Sequence, residues 1–101
     1  MSKEFYVTML EEAGACGKAR ADFLRLYGEG GVITYDQLMR GAQVFDWIFA
    51  ADNLLTPRQK AHFRNLVLNR FRAISRVNDR DGSKRRAALA HCFYEAYFSP
   101  E

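Results

Sequence analysis

Thr56-Pro57-Arg58-Gln59-Lys60-Ala61-His62-Phe63-Arg64-Asn65-Leu66-Val67-Leu68-Asn69-Arg70-Phe71-Arg72-Ala73-Ile74-Ser75-Arg76 is the stretch whose reading decides the fold. Its first four residues form a helix start. The Thr56 hydroxyl can accept from the Gln59 amide, Pro57 takes the first helical position, where no amide is needed, and the Gln59 side chain can reach back to the Thr56 amide. The spacing predicts a helix over 56–76, roughly five turns long. At about 100° per residue, Arg58, His62, Asn65, Asn69, Arg72 and Arg76 share one narrow stripe. Phe63, Val67, Phe71 and Ile74 fall opposite them. The helix is therefore expected to bury one side and to carry an Arg/Asn/His ridge on the other.

Working outward, helix signals recur along the chain. Ser2 and Glu4 suit the start of a helix over 3–13, with Phe5 and Met9 on one face and Tyr6 and Leu10 beside them. A second helix is expected over 18–27, with Gly28 at its stop and 28–31 as a flexible loop. Thr34-Tyr35-Asp36-Gln37 repeats the capping box and opens a short helix ending near Gly41. In the following segment, 42–52, Val44, Phe45, Trp47, Ile48, Phe49, Ala50 and Ala51 cover nearly the whole circumference, and Asp46 and Asp52 are the only charges. A helix apolar all round belongs in the middle of a domain. Residues 78–82 break the pattern, Ser83 can cap again, and a last helix over 84–98 presents Leu89, Phe93, Ala96 and Tyr97 as its core stripe. Only 32–35 has a β-rich composition, and it is too short to build a sheet. The expected fold is all-α, a compact irregular bundle of five to six helices in a single domain over 1–101.

Composition agrees with that reading. The chain has 101 residues, 49% hydrophobic and 14% aromatic, which suffices for one core and lies outside the disordered range. The longest apolar run, 47–51, is far short of the roughly 20 residues a membrane span needs. Glu4, Glu11 and Glu12 interrupt the N-terminal apolar stretch, so no signal peptide is expected and the protein is placed in the cytoplasm. Cys16 and Cys92 are expected as buried thiols in a reducing compartment rather than as a disulfide.

Charge is unevenly spread. Residues 57–86 hold ten Lys or Arg against two Asp, a net +8; the remainder holds five basic and ten acidic residues, −5, recovering the chain's +3. One side of the protein should be basic and the rest acidic. A long surface helix has to be polar outside, so a solvated face alone would account for the ridge. The functional reading makes Arg58, His62, Asn65, Asn69, Arg72, Arg76, Arg80, Lys84, Arg85 and Arg86 a surface for a protein or ribonucleoprotein partner with an acidic face. Nucleic acid is the alternative for the same residues, since Arg and Asn read guanine and adenine edges. An overall +3 and an acidic remainder weigh against it, and pairing between copies through opposite faces is the third option. A helix-turn-helix over 35–52 fails, because its second helix would have to present Trp47-Ile48-Phe49-Ala50-Ala51 to the groove.

Catalytic constellations are absent from the sequence pattern. Cys16, Cys92, His62 and His91 match no zinc-ligand spacing, and His91 and Cys92 diverge on a helix by about 100°. Glu11 and Glu12 are helix neighbours that point apart. Gly28-Glu29-Gly30-Gly31 leads into Val-Ile-Thr-Tyr rather than Lys-Ser/Thr, so it is no phosphate loop. Neither an enzymatic activity nor a cofactor or metal is expected.

The cadence Ala15-Cys16-Gly17-Lys18-Ala19-Arg20-Ala21-Asp22-Phe23-Leu24, followed by a short helix and Phe45-Asp46-Trp47-Ile48-Phe49-Ala50-Ala51-Asp52, resembles small helical accessory proteins of phages and mobile elements. The resemblance covers about 40 residues of mostly hydrophobic pattern. It implies a stoichiometric inhibitor of a host macromolecular complex, in the manner of anti-CRISPR proteins, and it carries no functional residue over. The basic surface departs from inhibitors that mimic DNA by being acidic.

Overall fold

Glu4–Tyr6 forms a short strand, β1, where the sequence pattern predicts the first turn of a helix. The computed structural model describes residues 4–74, 79 and 81–98. Helix α1 begins only at Val7 (Val7–Glu12), followed by α2 (Gly17–Tyr27), β2 (Gly30–Val32), α3 (Tyr35–Met39), α4 (Trp47–Leu54), α5 (Pro57–Arg72) and α6 (Ser83–Phe98). The fold is all-α with one small two-stranded antiparallel ribbon.

That ribbon corrects two expectations. β1 and β2 pair antiparallel, Phe5 opposite Gly31 and Tyr6 opposite Gly30, so 30–31 is strand rather than loop. Gly30 has φ +108°, and a Cβ there would lie 2.1 Å from the Phe5 carbonyl oxygen. Only glycine admits the approach. Along β1 the side chains alternate, and Phe5 alone turns inward. It stacks on Phe23 at 5.3 Å and meets Phe93 and Tyr97 edge-on at 5.8 and 5.5 Å.

Residues 42–46 are turns rather than helix, because Asp46 starts α4 itself. Its Oδ1 accepts from the Ile48 and Phe49 amides at 3.1 and 3.0 Å, an N-cap that competes with continuing the preceding chain as helix. Gly41 is held tightly in that turn, where a Cβ would sit 2.4 Å from the Tyr27 hydroxyl. Trp47, Ala50 and Ala51 are buried, but Ile48 is 54% exposed. Helix α4 is one-sided, not the central helix.

The central position belongs to α6. Ala90, Cys92, Phe93 and Ala96 are fully buried and Tyr97 nearly so, while α3, α4 and α5 all pack on it. Its small residues let three neighbours approach closely, and Phe93 and Tyr97 fill the space between them. The Tyr97 hydroxyl donates to the Glu4 carbonyl at 2.7 Å, tying the end of α6 to β1.

Helices α5 and α6 begin differently. The Thr56 box forms as read: Thr56 Oγ1 accepts from the Gln59 amide, and Gln59 Oε1 accepts from the Thr56 amide at 3.0 Å. Gln59 is 3% exposed and also donates to the Tyr97 carbonyl. At α6, Ser83 is the first helical residue rather than the cap. Buried Asp79 accepts from the Lys84 and Arg85 amides at 2.7 and 3.2 Å, and Asp81 accepts from the Ser83 amide. Cys92 lies in the core as expected, but Cys16 is exposed, because it sits at the N-cap of α2, outside the helix and its packed face.

Candidate binding surface along α5 and α6

Helix α5 buries Phe63 and half-buries Val67 and Phe71, so the ridge opposite them faces solvent. Arg58, His62, Asn65, Asn69 and Arg72 are all exposed. Among the described residues, no acidic side chain forms an ion pair with Arg58 or Arg72. Leu68, on the flank between the apolar side and Arg72, is 55% exposed. It borders a hollow of about 250 Å³ between α4 and α5, with Ile48, Lys60 and Arg64 around it.

The remaining basic residues separate into three groups. Arg76 and Arg80 lie outside the described residues. Arg85 pairs with Asp79 at 3.6 Å, and Arg86 donates to Gln43 Oε1 at 2.7 Å and to the Asp81 carbonyl at 2.9 Å. Arg86 ties the start of α6 to the 41–45 turn, and Arg85 ties it to the residue that caps it. The Lys84 side chain is exposed and borders a cavity.

That cavity, about 510 Å³, lies where α3, α5 and α6 meet. Asn69, Arg70 and Lys84 contribute polar groups, Tyr35 and His91 contribute rings, and Met39, Ala73, Ile74, Ala87 and Ala88 contribute apolar surface. His91 is fully engaged: Nδ1 is 2.8 Å from the Tyr35 hydroxyl, and Nε2 faces both the Arg70 guanidinium and Glu95 Oε1, the latter at 2.7 Å. A second hollow of about 350 Å³ is lined by His62, Tyr94, Glu95 and Phe98. Rings connect the two. Tyr35 meets His91 and Tyr94 edge-on at 5.5 and 5.2 Å, and Tyr94 stacks on Phe98 at 4.6 Å. The α5 ridge thus borders an aromatic strip on α6.

Sequence reasoning found the ridge and missed the strip. Tyr35 and His91 are 56 residues apart, and nothing local announces their meeting. The His91–Glu95 pair had a signal, its i,i+4 spacing. Arg70 falls about 120° from Arg58 in projection, next to Phe63 rather than in the stripe, and is brought into play only by α6.

Burial pushes the Cys92 thiol above its ordinary range, which keeps it in the neutral, unreactive form. Burial likewise raises the Tyr27 and Tyr97 hydroxyls to about 12. Among the described residues, no three His, Cys, Asp or Glu side chains converge as a metal site, and no helix is long and apolar enough to cross a membrane. Comparison with protein-family models, curated proteins and solved structures finds no match. The fold and surface therefore define no more than a small helical protein with a basic ridge beside a half-buried aromatic strip.

Proposed function

We propose that this chain is a non-enzymatic interaction protein that docks the acidic face of a protein or ribonucleoprotein along Arg58, His62, Asn65, Asn69 and Arg72. The observation that carries the reading is the first turn of α5. Arg58 stands at the positive end of the helix dipole, with no acidic residue in that turn. A cation there weakens a helix by roughly 0.3–1 kcal/mol. Its place on the ridge is better explained by a partner than by the helix. Individual rim charges steer association and set its specificity, and a few buried anchors supply most of the affinity. The partner's anchors would enter the hollows beside Tyr94 and Phe98.

The finer form of this proposal is a phage-type stoichiometric inhibitor, acting in the cytoplasm on a larger host complex. It rests on the resemblance of 15–24 and 45–52 to small phage accessory proteins. Affinity capture from host lysate tests it, comparing the natural chain with Arg58→Glu/Arg72→Glu. Loss of a specific acidic partner on reversal supports the reading. An unchanged set of captured proteins overturns it.

One observation favours nucleic acid as the second reading. Exposed Tyr35 and the half-buried Tyr94 and Phe98 beside cations offer stacking as well as charge, the combination that holds single strands. Titration with arbitrary DNA at rising salt separates the two. Binding that falls steeply with salt marks nucleic acid, and no binding at low salt removes it.

A further inference from the structure

The cavity between α3, α5 and α6 has a composition that the docking ridge does not require. Two of its lining residues are cations, Arg70 and Lys84, and none of those described is acidic. Both side chains are exposed. Neither pairs with a carboxylate among the described residues. Arg70 contacts His91 Nε2, which also meets Glu95 Oε1, and the Lys84 amide donates to Asp79, so two carboxylates stand near the cavity without lining it. With cations and no acid in the lining itself, the groups that face the hollow favour an anion. Charge-assisted hydrogen bonds to such an anion are stronger than neutral ones.

Most of the remaining lining is apolar. Met39, Ala73, Ile74, Ala87 and Ala88 present methyl and thioether surface. The Tyr35 ring is fixed at one side by its hydroxyl contact to His91 and its edge contact with Tyr94. The volume, about 510 Å³, lies in the usual range for small-molecule sites, roughly 300–1,000 Å³. Apolar surface with a few converging polar groups is the usual make-up of such sites.

We infer that this cavity binds a small aromatic anion, a carboxylate, sulfonate or phosphate monoester on a planar ring. The acid group sits between Arg70 and Lys84, with Asn69 as a further donor. The ring lies over Ala87 and Ala88 against Tyr35. Recognition needs both parts, since the cations select charge and the small floor residues leave room for a flat body. The site is independent of Arg58 and Arg72 and would stand if the docking ridge proved inert.

Naphthalene-2-sulfonate is a suitable probe, followed by calorimetry and by amide shifts in a nitrogen-15 spectrum. Saturation is expected at one per chain, on the order of 0.1 mM, with shifts centred on Tyr35, Ala87 and His91. Neutral 2-naphthol and inorganic phosphate should each bind at least about tenfold more weakly, a difference of roughly 1.4 kcal/mol. Arg70→Gln/Lys84→Gln should weaken the sulfonate by a similar factor. Ile48→Asp, which changes the hollow between α4 and α5, and Arg58→Glu/Arg72→Glu should leave it unchanged. The inference is overturned by equal binding of 2-naphthol, by indifference to the Arg70/Lys84 change, by loss in Ile48→Asp, or by no saturation below about 10 mM.

Discussion

Helices α5 and α6 are both 16 residues long, and both start with cations and no acid in their first turn. They resolve that conflict in opposite ways. At α6, Asp79 and Asp81 stand before the helix, accept its free amides and engage Arg85 and Arg86. At α5, Thr56 and Gln59 satisfy the amides without charge, and Arg58 is left uncompensated. The first arrangement spends its charges on the fold. The second leaves them facing solvent, which is where a binding surface would need them.

The largest effect expected from this contrast is in α6. Phe93 is fully buried and meets Trp47 at 5.3 Å and Tyr97 at 5.5 Å. Phe93→Ala should cost about 3–5 kcal/mol in urea unfolding. A loss below about 1.5 kcal/mol would mean that α6 is not the centre of the core. Next is Gly30→Ala, which forces a Cβ onto the Phe5 carbonyl and a strained φ on alanine. About 2–3 kcal/mol should be lost, with the near-ultraviolet signal of the aromatic cluster around Phe5 reduced. A neutral result would show that β1 and β2 do not pair.

These two sites also mark the limit of what the sequence reveals. The capping boxes at 34–37 and 56–59 were legible because all their partners lie within four residues. The start of α4 at Asp46 was hidden by the apolar run after it, which reads as one long buried helix. Pairing of 4–6 with 30–32 is non-local, and Gly30-Gly31 looks the same whether it is a loop or the glycine side of a strand. The rank of α6 was illegible for a related reason. Ala90, Cys92 and Ala96 are unremarkable by type and become central only because three helices close on them. The exposed ridge needed nothing but the helical period, whereas the aromatic cavity needed Tyr35 to meet His91 across the chain.

Smaller effects test how each helix start is held. Asp79→Ala removes the acceptor of two α6 amides and the partner of Arg85, and about 1–2 kcal/mol should go with it. Thr56→Ala should cost about 1 kcal/mol, since Gln59 keeps its own bond to Tyr97. Alkaline pH probes the far end of α6. Tyr97 keeps its proton to about 12 in the folded chain against 10.0 for an ordinary tyrosine. The unfolded chain therefore releases a proton first, and the stabilising contribution is whole below pH 10. It declines as pH rises towards 12, by up to about 1.4 kcal/mol per pH unit for each such tyrosine. Tyr97→Phe should make that decline shallower, leaving the share due to Tyr27. An unchanged slope would mean that the Tyr97 hydroxyl is not buried in the folded chain.

The ridge should give the smallest stability change and the most informative one. Arg58 is the second residue of α5 and Arg72 the last, so the helix dipole acts on them with opposite sign. Arg58→Glu alone should stabilise by about 0.3–1 kcal/mol, and Arg72→Glu alone should destabilise by a similar amount. Arg and Glu have similar helix propensities. The two changes lie some 20 Å apart at 1.5 Å per residue, so their effects should add. The double reversal should then leave stability within about 0.5 kcal/mol of the natural chain while moving the ridge charge by four units. Loss of partner capture in that variant cannot be laid to unfolding. Retained capture at unchanged stability would make the ridge a solvated face, and α5 would differ from α6 only in how it is capped.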